Sequence, residues 1–136
     1  MTRVSVEREI AAPAEATWKR VADFGDVSWI PPVSEVEVEG SGVGMKRIIN
    51  GSIHERLESL DEATMTLVYS IPEGLPFPVR DYRATIEVRV KDAGTSQLAW
   101  RFEAEPDGIS EEETEQTLNA SGEALVGWLA DSLEQR

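Results

Sequence analysis

Apolar and polar positions alternate in twos along most of this chain, and past residue 110 they recur in threes and fours. The first pattern marks half-buried strands and the second a helix with one face on a core. Strands are expected at 4–10 (VSVEREI), 33–39 (VSEVEVE), 45–49 (MKRII) and 52–60 (SIHERLESL). Three more follow at 64–71 (TMTLVYSI), 81–90 (DYRATIEVRV) and 97–105 (QLAWRFEAE). Between the first two strands, Pro13 opens a run of good helix formers with Trp18, Val21 and Ala22 on one stripe, and Gly25 is placed to end it. DVSWIPP (26–32) predicts one short helical turn halted by Pro31 and Pro32. Asn50-Gly51 is the strongest hairpin signal in the chain.

Residues 110–135 predict one long helix with Leu118, Gly122, Leu125, Val126, Leu129 and Leu133 on its apolar stripe. Ser110 is placed to cap it, with Glu113 completing a capping box. Glu111, Glu112, Glu113 and Glu115 sit where the helix dipole favours negative charge, so the acidic run needs no functional role. The order is strand, two short helices, six strands, long helix. Six successive antiparallel strands form a meander, and the first strand closes one edge. The long helix then crosses the concave face of the curled sheet. The fold class is therefore α+β: a curved antiparallel sheet of about seven strands around a C-terminal helix.

At 136 residues, the chain is expected to form one domain over 1–136 with a sizeable core. No apolar run approaches the ~18 residues of a membrane helix, and no apolar block follows Arg3 to suggest a signal peptide. The chain has no cysteine, which excludes disulfides, thiol nucleophiles and thiolate metal sites and suits a cytoplasmic location. The net charge of −13 argues against nucleic acid and anionic membranes as partners and is otherwise a matter of solubility. Either a monomer or a homodimer is compatible with the sequence.

The element order, with the segments IHERLESLDEATMTLVYSI and RDYRATIEVRV, resembles the START-related superfamily, also called SRPBCC, helix-grip or Bet v 1-like. Within it the chain looks most like the polyketide cyclase/dehydrase and lipid-transport group, over essentially its whole length. The two segments also resemble the central strands of plant abscisic acid receptors. The resemblance implies a cavity between sheet and long helix, used across the superfamily for binding, transport, cyclisation and hydrolysis. It also implies that the proline-rich turn Pro72–Pro78 closes one mouth of that cavity, with Leu75 and Phe77 over a ligand. The receptors' lysine for a ligand carboxylate has no counterpart in SWIPPVSEV, which disfavours an acid of that kind.

Alternation sorts the strand side chains into faces. The inner set comprises Tyr82, Ala84, Ile86, Val88 and Val90, then Leu98, Trp100, Phe102 and Ala104, then Met65, Leu67, Tyr69 and Ile71. Glu55, between Ile53 and Leu57, also falls on the inner face. An unpaired buried carboxylate is costly, so Glu55 should have a partner, a raised pKa or water, unless a bulge turns it outward. Tyr69 and Tyr82 are its expected neighbours. His54, the one histidine, points outward, and no metal-ligand spacing, phosphate loop or nucleophile elbow is present. Trp18 and Trp100 fit core stripes, Trp128 lines core or cavity, and Trp29 stands at a cavity rim.

The leading expectation is a binding protein for an apolar or aromatic small molecule. The lining residues would be Glu55, Leu57, Tyr69, Ile71, Leu75, Phe77, Tyr82, Ala84, Trp100, Leu118, Gly122 and Leu125. A second reading is a polyketide cyclase or dehydratase-like enzyme, with Glu55 as acid/base and Tyr69 or Tyr82 as orienting donors. A third is a protein-interaction module with a filled core. No cofactor and no metal are expected. A cavity of a few hundred cubic ångströms, about the usual ligand-site range, would favour the first two.

Overall fold

Among the described residues, seven strands and two helices carry out the sequence pattern. β1 (Thr2–Ile10) and α1 (Ala14–Ala22) are followed by β2 (Val36–Glu39), β3 (Lys46–Ile49), β4 (Ile53–Asp61) and β5 (Thr66–Glu73). β6 (Val79–Asp92), β7 (Thr95–Pro106) and α2 (Glu111–Glu134) complete the order. The computed structural model describes residues 1–134; Gln135, the last residue of the expected long helix, lies outside the described residues. The strands form one antiparallel sheet in the order β1-β7-β6-β5-β4-β3-β2, so the meander is closed at one edge by β1. Register shifts in β4–β5 and β6–β7 supply the bulges that bend such a sheet.

The capping box at Ser110 forms in both directions: Ser110 Oγ accepts from Glu113 N at 3.0 Å, and Ser110 N donates to Glu113 Oε1 at 3.3 Å. From there α2 packs chiefly on β1 and β7. Gly122 permits this closeness, because a Cβ there would lie 2.7 Å from both Phe102 Cε2 and Val6 Cγ2. The helix is thus seated tightly over one half of the sheet, and room remains over β3–β5. α1 is held on the start of β7 by a buried hydroxyl chain, with Thr17 Oγ1 2.9 Å from Ser96 Oγ and Ser96 donating to Ala12 O at 3.0 Å.

Three expectations are corrected. One short helix, not two, follows β1 among the described residues. Residues 26–32 form successive tight turns, with Ile30 N bonded to Val27 O and Val33 N to Ile30 O, both at 3.0 Å. Pro31 and Pro32 lack the N–H groups a helix would need and disfavour the helical region for the residue before each. α1 stops at Ala22 rather than Gly25, with Asp23 as its C-cap. The chain leaves the helix there because Phe24 turns into the core, where it is 2% exposed. Val90 is 70% exposed rather than buried with its face, although it stays in register opposite Ser96 near the end of β6. The rest of the inner set is buried except Met65, which is half-buried at a positive φ of 50°.

Candidate functional site

Asn50 and Gly51 have φ of 52° and 73°, the two left-handed residues of a primed hairpin turn. The connection takes in Ser52 as well, three residues in all, and sets the register of β3 on β4: Ile49 faces Ile53, Ile48 faces His54, and Arg47 faces Glu55. The Asn50 amide also fastens the preceding segment. Its Oδ1 accepts from Ser34 N at 2.8 Å and Glu35 N at 3.1 Å, and its Nδ2 donates to Pro32 O at 3.2 Å.

Glu55 is inside, 9% exposed, although the β4–β5 ladder does shift register between His54 and Arg56. The pairing with β3 stays regular at that point and holds the carboxylate inward. Its partner is Arg47, itself 6% exposed, whose Nε donates to Glu55 Oε1 at 2.6 Å. Arg47 Nη1 donates to Phe24 O at 2.8 Å, and its Cζ lies 3.8 Å over the Phe24 ring. The inward turn of Phe24 that ends α1 therefore also completes the arginine's site. Among the described residues, no hydrogen bond is made by Arg47 Nη2 or to Glu55 Oε2.

A cavity of about 190 Å³ opens beside this pair. Its apolar wall includes Ile49, Ile53, Ile71, Phe77 and Leu125, and Ser121 of α2 borders it. Arg47 and Glu55 are the charged residues of its lining. The remaining interior is filled by a run of rings. Tyr69 stands edge-on to Trp100 with centroids 6.4 Å apart, Tyr82 lies 6.3 Å from Tyr69, and Phe77 lies 6.4 Å from Tyr82. These rings account for a cavity smaller than the few hundred cubic ångströms expected. Burial, and then the negative charge of Glu55, pushes the Tyr69 hydroxyl well above the ordinary phenol value, with Arg47 opposing. Burial does the same to Tyr82, followed by the effects of Tyr69 and Glu55. Both therefore remain neutral phenols at neutral pH. Trp100 Nε1 is buried and makes no well-formed hydrogen bond, interacting only weakly with the Tyr69 hydroxyl.

Of the residues expected at a ligand, Glu55, Tyr69, Ile71, Phe77, Tyr82, Trp100 and Leu125 line the cavity. Leu57, Ala84 and Leu118 lie in the packed core, Gly122 sits against Phe102 and Val6, and Leu75 is half-buried against the core. Pro76 supplies the second lining residue of the proline-rich turn. Trp29 is buried against Trp100, at 6.3 Å, rather than at a rim. His54 is on the other face, 3.3 Å from Glu73 Oε2 through its Nε2. Arg47 was not anticipated. The turn is legible in Asn50-Gly51, but a two-residue loop there would set Arg47 opposite His54; only the inclusion of Ser52 in the connection brings it opposite Glu55.

A wider depression of about 370 Å³ lies on the outer face of β1, β7 and β6, lined by Arg3, Arg83, Arg101 and Glu103. Two of these arginines have surface carboxylate partners, Arg3 with Glu103 at 3.4 Å and Arg101 with Glu87 at 3.1 Å. No buried polar group converges on it among the described residues. No group of acidic, histidine or cysteine side chains suited to a metal ion occurs among the described residues. No helix among them is long and apolar enough to cross a membrane.

The chain matches a family model described as polyketide cyclase / dehydrase and lipid transport over residues 1–135. No curated protein matches it. The protein XoxI from Bacillus cereus superposes with a TM-score of 0.86 at 24% identity, over 99% of this chain and 97% of that one. The Zhui aromatase/cyclase from a Streptomyces species gives 0.75 at 23% identity, over 98% and 94%. Norcoclaurine synthase from Thalictrum flavum, in complex with dopamine and hydroxybenzaldehyde, gives 0.77 at 19% identity, over 99% and 88%.

Proposed function

This chain belongs to the polyketide cyclase/dehydrase and lipid transport family, and from that premise we propose that it binds one small apolar or aromatic molecule in the cavity between the sheet and α2. The observation that carries this reading is the Arg47–Glu55 pair at the cavity wall. A buried ion pair is a poor device for stability, since well-packed apolar residues of the same volume are commonly as stable. Its unmatched atoms beside an apolar space are suited to orienting a guest.

The volume sets the size. A dry cavity of about 150 Å³ lined by apolar side chains can hold benzene, so about 190 Å³ suits one substituted ring. Native mass spectrometry of freshly purified protein tests the proposal. The expected spectrum carries a small-molecule adduct that leaves on denaturation, or gains one when a single-ring aromatic is added. A bare chain under both conditions contradicts it.

Catalysis is the second reading, favoured by a buried carboxylate beside two phenols that keep their protons. Glu55 would move a proton to or from the substrate, and Tyr69 or Tyr82 would hold a substrate oxygen. On that reading Glu55→Gln abolishes turnover, whereas a carrier retains most of its binding. The open space argues against the third reading, a filled interaction module.

A further inference from the structure

We propose that the cavity selects neutral single-ring aromatics bearing a carbonyl or hydroxyl oxygen over the corresponding carboxylates, with the Arg47–Glu55 pair as the specificity determinant. This rests on the reading that the cavity takes a small molecule.

Charge balance is the first argument. Arg47 is the cationic member of the lining, and its Nε is already committed to Glu55 at 2.6 Å. The pair is internally neutral. A carboxylate guest would lose its water and find no unpaired cation, while Glu55 repels it at close range in a low-dielectric interior. The chain's overall charge of −13 adds to that repulsion.

Hydrogen-bond capacity is the second. Arg47 Nη2 has no acceptor and Glu55 Oε2 no donor among the described residues. Trp100 Nε1, in the same lining, is buried with no well-formed hydrogen bond and only a weak interaction with the Tyr69 hydroxyl. Tyr69 and Tyr82, whose hydroxyls interact with each other, complete a polar end with one open carboxylate acceptor. A carbonyl oxygen accepts from such a set, and a hydroxyl can also donate to Glu55 Oε2. A hydrocarbon leaves these groups dry, and a site built for hydrogen bonds discriminates against a guest that cannot make them. Ile49, Ile53, Ile71, Phe77 and Leu125 meanwhile enclose the ring.

Benzamide, acetophenone, benzoate and toluene share one ring and nearly one shape, and isothermal titration calorimetry of the folded chain at neutral pH with these four probes is decisive. Benzamide and acetophenone are expected to bind at least about tenfold more tightly than benzoate and toluene, a difference well within reach of calorimetry. Glu55→Gln leaves the arginine's charge unopposed, so the benzamide-to-benzoate affinity ratio should fall about tenfold or more in that variant. Benzoate or toluene binding as well as benzamide in the native protein overturns the proposal and leaves the binding reading intact. Binding of none of the four overturns both. An affinity ratio unmoved in folded Glu55→Gln also overturns it. Should that variant not fold, the native panel alone decides.

Discussion

Arg47 is held by three neighbours at once: the Glu55 carboxylate, the Phe24 carbonyl and the Phe24 ring. Removing it leaves a buried carboxylate without a counter-charge, which costs about 3–5 kcal/mol where such pairs are broken. Arg47→Met should therefore lower stability by that order in urea titrations. Arg47→Met with Glu55→Leu should recover most of the loss, since apolar replacement of a whole buried pair is often neutral. A single variant as stable as the native chain would mean that Glu55 is not enclosed as described. The tyrosines offer a second test at this scale. The sequence holds two tyrosines, Tyr69 and Tyr82, and both line the cavity. Their folded-state pKa values are raised above the unfolded value of about 10. The neutral phenols thus favour folding below about pH 10, and this contribution is lost as pH rises beyond it. Tyrosinate absorbance should stay flat past pH 10 and then rise together with loss of circular dichroism. A rise in the native protein near pH 10 would place the phenols in solvent. The inward position of Glu55 was legible from simple alternation between Ile53 and Leu57. Its partner was not, because an arginine in a short strand reads as solvated, and the two-residue register that Asn50-Gly51 suggests would set Arg47 opposite His54.

Hairpins and glycines set the cavity's geometry among the elements. Gly74, where the proline-rich turn leaves β5, has a φ of 78°, and a Cβ there would fall 1.8 Å from Ser52 O, a backbone atom. Gly74→Ala should cost more than about 1 kcal/mol through strain alone, and should raise amide exchange in both the turn and the β3–β4 hairpin. Unchanged exchange would mean that the two do not brace each other. On α2, two glycines should respond with opposite signs. Gly127 has nothing within 4 Å of its absent Cβ, so Gly127→Ala should stabilise by up to about 1 kcal/mol through helix propensity. Gly122→Ala forces Val6 or Phe102 to move and should destabilise by about 1–3 kcal/mol less that same propensity gain. Thermal melts of the two variants compare them directly; a stabilised Gly122→Ala would show that α2 is not seated tightly on β1 and β7. Strand existence and the capped long helix were legible because period and caps are local signals. Residues 26–32 do not make the expected short helix, because the missing donors of Pro31 and Pro32 decide the backbone there.

At the scale of the whole molecule, the meander closed by β1 and gripped by α2 followed from element order alone. Cavity size did not. Alternation says which side chains point inward, not how completely Tyr69, Tyr82, Trp100 and Phe77 fill the space they face. Nor does it say that a glycine seats the helix over one half of the sheet and leaves the other half open. The central claim is that this open half accommodates a guest. Amide chemical-shift mapping of the labelled protein with saturating acetophenone tests it most directly. Shifts confined to residues around Ile53, Glu55, Tyr69, Ile71, Tyr82, Ser121 and Leu125, with the outer-face positions Thr85 and Arg101 unmoved, are the predicted result. Shifts centred on the outer face, or none at saturation, would contradict it.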